Sequence, residues 1–280
     1  MVFFTGEVDH DHDHDDDSHV DHYRQDAYDY LVNFLTNQNG IEAVAAAETV
    51  IDEERDENEN ILEAFQNIER ALATLEGRDD FGPSDTFLAC HGLMCEHLDN
   101  VLATGLWEEK LKGVIYMAAT ATALDSNNHP QYESHLPGVR KHYLIGQYDG
   151  KMTVSHAARW QWLVNQSEES YFAVIEKCNH ASFGTDLSFD HDDISETVVN
   201  TVEAQEGIKM AFTHFLDNRK SALEQLHENA LDYWKPLYDA LHFERIYTSK
   251  NFEFISRTIS GPNRAYTHTY TGVRTISKKK

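Results

Sequence analysis

Short apolar runs of strand type alternate along this chain with stretches whose apolar residues recur at helical spacing. The predicted strands are Val2–Thr5, Ile41–Ala47, Thr86–Ala89, Gly113–Ala118, Lys141–Ile145 and Tyr171–Ile175. The predicted helices are Tyr23–Gln38, Asn60–Leu75, Leu93–Thr104, Ser155–Val164, Glu196–Phe215 and Ser221–Leu241. Strands that alternate with helices predict an α/β fold, in which a mainly parallel sheet carries helices on both faces.

Two segments depart from this alternation. Residues Asp9–His22 contain almost only Asp and His, so we predict an exposed, charged loop there. Residues Phe243–Arg274 are rich in Thr, Tyr and Ser, and within them Ala265–Gly272 has the pattern of an edge strand. We therefore predict one domain over residues 1–218, and a C-terminal extension over residues 219–280 that packs on the domain or on a partner subunit.

The composition excludes several classes of function. The net charge of −25 opposes binding to nucleic acids and to anionic lipid surfaces. No apolar run reaches the length of a membrane span, so we predict none. The three cysteines, Cys90, Cys95 and Cys178, are too few and too unevenly spaced for a disulfide framework. This pattern indicates that the thiols are buried and structural. It also predicts a reducing compartment, and therefore an intracellular, cytoplasmic location.

Three strand ends carry residues with chemical potential. After the predicted strand Thr86–Ala89 the sequence reads C-H-G-L-M-C over Cys90–Cys95. The strand Lys141–Ile145 leads into L-I-G-Q-Y-D-G, which ends at Asp149-Gly150. The strand Tyr171–Ile175 leads into I-E-K-C-N-H-A-S-F-G, which contains His180. This order of strand-to-helix turn, acid and histidine resembles the α/β-hydrolase superfamily, whose nucleophile lies in a G-x-S-x-G turn. The motifs are similar to those of its cap-less, esterase-like members, and the resemblance covers about Val2 to Phe215.

The resemblance implies a role for each matched residue. Asp149 corresponds to the acid, His180 to the base, and Gly92 to the position of the nucleophile. The amides of Leu93 and of the loop at Gly6 correspond to the oxyanion hole. By this resemblance the given sequence starts at the strand before the oxyanion loop, so we expect the two leading antiparallel strands of many members to be missing.

The departure from the motif bears on function. Glycine has no side chain that attacks a substrate, and covalent catalysis requires one. Cys90 and Met94 also replace the flanking glycines. We therefore predict a non-catalytic protein that acts in binding, assembly or scaffolding, with a protein partner or self-association and with a small hydrophobic ligand as a further option. The alternative is an esterase-like hydrolase in which Cys90 or Cys95 attacks, assisted by His180 and Asp149.

A second alternative concerns the acidic, histidine-rich segment. Its imidazoles and carboxylates, among them His10, His12 and His14, are ligand types that divalent metal ions accept. This composition fits weak metal binding, and it also fits a solvated, charged loop. We predict no other cofactor.

Overall fold

The protein is described by a computed structural model. It describes residues 1–10, 19–38, 41–52, 55–77, 86–102, 111–119, 139–151, 170–185, 187, 199–230, 252–260 and 267–275.

A parallel sheet forms the centre of the molecule. Its strands are β1 (Val2–His10), β2 (His19–Tyr23), β3 (Ala45–Asp52), β4 (Thr86–His91), β5 (Leu111–Met117), β6 (Arg140–Gly146) and β7 (Ser170–Ile175). Six of them run parallel in the order β3-β1-β4-β5-β6-β7. The seventh, β2, runs antiparallel beside the second half of β1. The carboxyl ends of the parallel strands therefore meet at one edge of the sheet.

Helices cover both faces of this sheet. The helices are α1 (Asp29–Gln38), α2 (Glu57–Glu76), α3 (Leu93–Leu102), α4 (Thr201–Leu216) and α5, which spans residues 220–230. A single 3-10 turn, Gln25–Tyr28, precedes α1. Buried residues of α1 and α4 join the apolar cluster on one face, and those of α2 and α3 join the cluster on the other. The predicted α/β fold is confirmed.

Alternation along β1 explains why two clusters form. Phe3 packs on the ring of Phe212 from α4 at 6.4 Å and on Tyr28 at 5.9 Å, whereas Val2 and Phe4 belong to the cluster beneath α2 and α3. Successive side chains of a strand point to opposite faces of the sheet. A run of consecutive apolar residues therefore marks a strand that is buried on both sides.

The sequence prediction misplaced two strands. The predicted loop Asp9–His22 begins and ends in strands, because β1 continues to His10 and β2 starts at His19. Pairing between the two strands gives these polar residues backbone partners that a local pattern does not reveal. β3 starts at Ala45 rather than Ile41, since its exposed residues Glu48 and Val50 alternate with buried ones. The predicted helix Ser155–Val164 lies outside the described residues.

The C-terminal extension has two parts. Helix α5 packs on the domain, where Leu223 enters the core and His227 Nδ1 accepts a hydrogen bond from the backbone N–H of Phe172 in β7 at 3.1 Å. Beyond it, β8 (Phe252–Ser260) and β9 (Thr267–Thr275) pair antiparallel in a separate two-stranded sheet. The predicted edge strand Ala265–Gly272 overlaps β9. No helix in the described part of the chain is long and apolar enough to cross a membrane.

Candidate functional site

The turn between β4 and α3 is the first element of the site. Gly92 adopts a left-handed conformation with φ of +53°, which L-amino acids with side chains adopt at a cost. Its N–H donates to the carbonyl of Met117 at 2.9 Å, and its own carbonyl accepts from the N–H of Cys95 at 3.0 Å. The turn therefore holds Gly92 at the carboxyl edge of the sheet, directly before α3.

The loops that follow β6 and β7 form the second element. The N–H of Gln147 donates to the carbonyl of Ile175 at 2.9 Å, and that of Tyr148 donates to the carbonyl of Cys178 at 2.8 Å. The Gln147 side chain in turn accepts from the N–H of Lys177 at 3.0 Å. These bonds fix the acid-bearing loop against the histidine-bearing loop.

Asp149 and His180 meet between these loops in a buried pair. Nδ1 of His180 lies 3.0 Å from both carboxylate oxygens of Asp149, and the exposed fractions of the two residues are 2% and 0%. Asp149 Oδ1 also accepts the N–H of Lys151 at 2.9 Å. A carboxylate accepts hydrogen bonds, so Nδ1 of His180 carries the proton in this pair. The geometry thus joins two residues that the sequence placed 31 positions apart.

The other ring nitrogen of His180 faces the position of the missing nucleophile. A Cβ on residue 92 would lie 2.9 Å from Nε2 of His180. This separation is shorter than side-chain carbons adopt, so the His180 ring would have to shift to admit a side chain here. After such a shift a serine hydroxyl at residue 92 would face Nε2, which is the arrangement of a nucleophile and its base. Gly92 supplies no such atom, so the base has no side chain to activate at this point.

Tyr23 fills the space beside Gly92. Its hydroxyl would lie 2.5 Å from a Cβ on residue 92, and its ring carbon Cε1 would lie 2.8 Å away. The hydroxyl also accepts the N–H of Leu93 at 3.3 Å, which is the amide that the sequence resemblance assigned to the oxyanion hole. Tyr23 is fully buried. One side chain therefore occupies the place of the nucleophile and binds the oxyanion donor.

Sequence reasoning missed Tyr23, because it treated this residue as the start of a helix. Tyr23 in fact ends β2, where it lies opposite Gly6 of β1. The hairpin-like return of β2 along β1 brings it over the end of β4. The only sequence signal was an isolated aromatic residue directly after the charged segment, and such a residue does not specify a long-range contact.

His91 supports both Tyr23 and His180. Its ring stacks on that of His180 at 4.7 Å and meets the ring of Tyr23 edge-on at 5.2 Å. Burial raises the pKa of the Tyr28 phenol well above its usual range, so Tyr28 remains protonated and donates to Nδ1 of His91 at 2.8 Å. Burial, and then the neighbouring His180, lower the pKa of His91 well below its usual value. His91 is therefore neutral and acts as a packing element.

Gly6 does not lie in a loop. The resemblance placed it in the oxyanion loop, whereas the structure places it inside β1, paired with Tyr23 of β2 and with Thr49 of β3. Its φ of +148° belongs to the range that favours glycine, and the carbonyl of Thr49 lies where a Cβ would stand. The continuation of β1 past Gly6 therefore replaces the loop that would donate the second oxyanion amide.

Cys90 and Cys95 are joined by a disulfide across the turn, with Cα atoms 5.1 Å apart. This bond contradicts the prediction of two structural thiols. It also removes the alternative nucleophiles, since only a thiolate attacks. Disulfides are typical of oxidising compartments, so the bond gives no support to the predicted cytoplasmic location. Cys178 is free and buried on the histidine loop.

The predicted metal ligands are not brought together in the described structure. His10 ends β1, while His12 and His14 lie outside the described residues. No group of three or more His, Cys, Asp or Glu side chains suited to a metal ion occurs among the residues that the structure describes. Metal binding by the charged segment stays a prediction.

Only the search of solved structures finds proteins similar to this chain. No family model matches the sequence, and no curated protein matches it. A structure search finds a Klebsiella pneumoniae protein provisionally described as a dienelactone hydrolase, which is 10% identical. The match covers 76% of this chain and 85% of that chain, with a TM-score of 0.41. The α/β fold assigned to this chain therefore rests on its own strand order and helix layers.

Proposed function

We propose that this chain is a non-catalytic protein on an α/β-hydrolase-like fold, and that it acts through binding and assembly. The observation that carries the proposal is the position of the Tyr23 side chain. Its hydroxyl lies 2.5 Å from the position of a Cβ on residue 92, so it leaves no room for a nucleophilic side chain there, and it accepts the N–H of Leu93. An oxyanion hole stabilises developing charge only when its donors are free to meet the substrate oxygen.

None of the three residues that the sequence offers as nucleophiles supplies an attacking atom. Gly92 has no side chain, and Cys90 and Cys95 are bonded to each other. A histidine and an aspartate activate a nucleophile but do not replace it. Asp149 and His180 are also buried, and the His91 ring, itself in contact with Tyr23, stacks on that of His180.

The Asp149 and His180 pair has a structural role that does not depend on catalysis. The pair links the loop after β6 to the loop after β7 in a buried setting. Removing one member of a buried hydrogen-bonded pair commonly costs about 1–3 kcal/mol, since the remaining buried group loses its partner. The pair therefore holds the carboxyl edge of the sheet together whether or not it transfers protons.

Hydrolysis of short-chain aryl esters tests the proposal. The purified chain and its His180→Ala variant are expected to hydrolyse the ester at rates equal within about twofold, because a positioned base that acted in catalysis would contribute roughly 10²-fold or more. The other histidines hydrolyse the ester to the same extent in both proteins, so the difference between the two rates reports on His180 alone. A drop of about tenfold or more in His180→Ala would show a working site and end the proposal.

A further inference from the structure

The outer edge of β3 is an open sheet edge. The N–H of Ala45 donates to the carbonyl of Met1 at 3.0 Å, so Ala45 and every second residue after it face β1. Ala46, Glu48 and Val50 consequently direct their backbone groups away from the sheet. In the part of the chain that the structure describes, no strand pairs with this side of β3. Such an edge is a template for an added strand.

Two asparagines of α2 bind part of this edge. Asn67 donates to the carbonyl of Glu48 at 2.8 Å, and Asn60 donates to the carbonyl of Asp52 at 2.7 Å and accepts its N–H at 3.4 Å. The backbone groups of Ala46, before the Glu48 bond, and of Val50, after it, have no hydrogen-bond partner among the described residues. These two residues are therefore the ones with which an added strand would pair.

A groove runs beside the start of this edge. It has a volume of about 390 Å³, and Ala45, Ala46, Glu48, Asn67, Arg70 and Thr74 are among its lining residues. The small side chains on β3 leave room for larger side chains from an added strand. The opposite edge of the sheet offers no such site at Phe172, since its outward N–H is bound by His227.

The last two strands form a small sheet of their own. Strands β8 and β9 are 9 residues long each, and among the described strands they pair with each other alone. An isolated two-stranded hairpin is marginally stable in water. Addition to a larger sheet would supply the missing backbone pairing and cover one of its edges.

Opposite net charges favour binding of the hairpin to the body that carries the β3 edge. Residues 252–280 contain six Lys or Arg and one Glu, a net charge of +5, so residues 1–251 carry −30. Beside β3, Glu48 and Glu59 are exposed, Glu63 is paired with Arg55 at 2.6 Å, and Arg70 lines the groove, so the immediate charges are mixed and the excess of acid is that of the body as a whole. A basic hairpin is therefore attracted to the acidic body, whereas two acidic bodies alone repel each other.

We propose that the edge of β3 binds the β8–β9 hairpin of a second copy of this chain. Within one chain, the described β8–β9 hairpin does not pair with β3. The hairpin that binds the β3 edge is therefore that of a second molecule. Each copy offers one edge and one hairpin, and a twofold exchange satisfies both in a closed dimer. This inference rests on the assembly role proposed above and names the partner. Its test measures the mass of the assembly rather than ester hydrolysis. The dimer interface and the lack of catalysis can therefore be disproved separately.

Sedimentation equilibrium of the full chain tests this interface. The native protein is expected at twice the monomer mass of 32.1 kDa. Val50→Pro removes an N–H that faces away from β1, so it blocks the edge without breaking the bonds between β1 and β3. It is expected to give monomers. The matched control, Val50→Thr, keeps the N–H and the strand propensity, and is expected to remain dimeric.

A second variant guards against misfolding of the first. Arg257→Glu/Arg274→Glu reverses two charges on the hairpin and leaves the body untouched, and it is expected to weaken the dimer by about tenfold or more in Kd. Circular dichroism verifies that each variant is folded. A native protein that is monomeric overturns the proposal, and so does a dimer that survives both Val50→Pro and the double charge reversal. Dissociation in Val50→Pro alone would exclude the hairpin as the occupant.

Discussion

Combining Gly92→Ser with Tyr23→Leu is expected to create an aryl esterase that depends on His180. A serine hydroxyl at residue 92 would lie within reach of Nε2 of His180, whose other nitrogen is held by Asp149. Removing the Tyr23 ring frees the volume that the new side chain needs and releases the N–H of Leu93. The rate of ester hydrolysis should rise about 10²-fold above that of the parent, the usual contribution of a positioned base.

Matched variants separate the two effects. Gly92→Ser alone is expected to stay near the parental rate, because its Cβ would lie 2.5 Å from the Tyr23 hydroxyl. Adding His180→Ala to the double variant should return the rate to background. If Gly92→Ser alone were as active as the double variant, Tyr23 would not be the group that blocks the site.

Gly6→Ala is expected to destabilise the protein severely. The new Cβ would overlap the backbone carbonyl of Thr49, and the φ of +148° is one that alanine rarely adopts. Backbone atoms of a paired strand cannot move aside as the end of a flexible side chain can. We expect a loss of more than about 4 kcal/mol in the free energy of unfolding, or failure to fold.

Gly77→Ala is the matched control for this change. Gly77 ends α2 with φ of −67°, and a Cβ there would make only ordinary contacts, at 3.8 Å from the nearest carbonyl oxygens. The free energy of unfolding of the Gly77→Ala variant should differ from that of the parent by less than about 1 kcal/mol, since alanine loses less chain entropy on folding than glycine. Urea unfolding of both variants measures the difference. Equal stability of the two variants would mean that β1 does not approach β3 as closely as described.

The parts of the site that sequence reasoning predicted are those set by local pattern. β6 ends in the apolar run Tyr143–Ile145 and β7 in the run Tyr171–Ile175, so their ends, and with them Asp149 and His180, followed from the order of residues. Carboxyl ends of parallel strands share one edge of a sheet, so the two residues were expected to meet. Gly92 followed in the same way from the strand-to-helix turn after β4.

The parts that were missed depend on contacts between distant segments. Tyr23 reaches Gly92 only because β2 pairs with the far half of β1, and no local periodicity encodes that pairing. The disulfide depends on the turn that brings the Cα atoms of Cys90 and Cys95 to 5.1 Å. Spacing alone did not distinguish two buried thiols from one bond.

Labelling with an aryl phosphonate ester, which an activated hydroxyl attacks with loss of the phenolate, tests the central claim most directly, because it detects a working hydroxyl nucleophile at this edge of the sheet. The account predicts that the intact mass of the parent chain stays unchanged after incubation, while the combined Gly92→Ser and Tyr23→Leu variant gains one adduct at residue 92. An adduct on the parent chain that disappears in His180→Ala would contradict the account, since it would show that a nucleophile works beside this histidine.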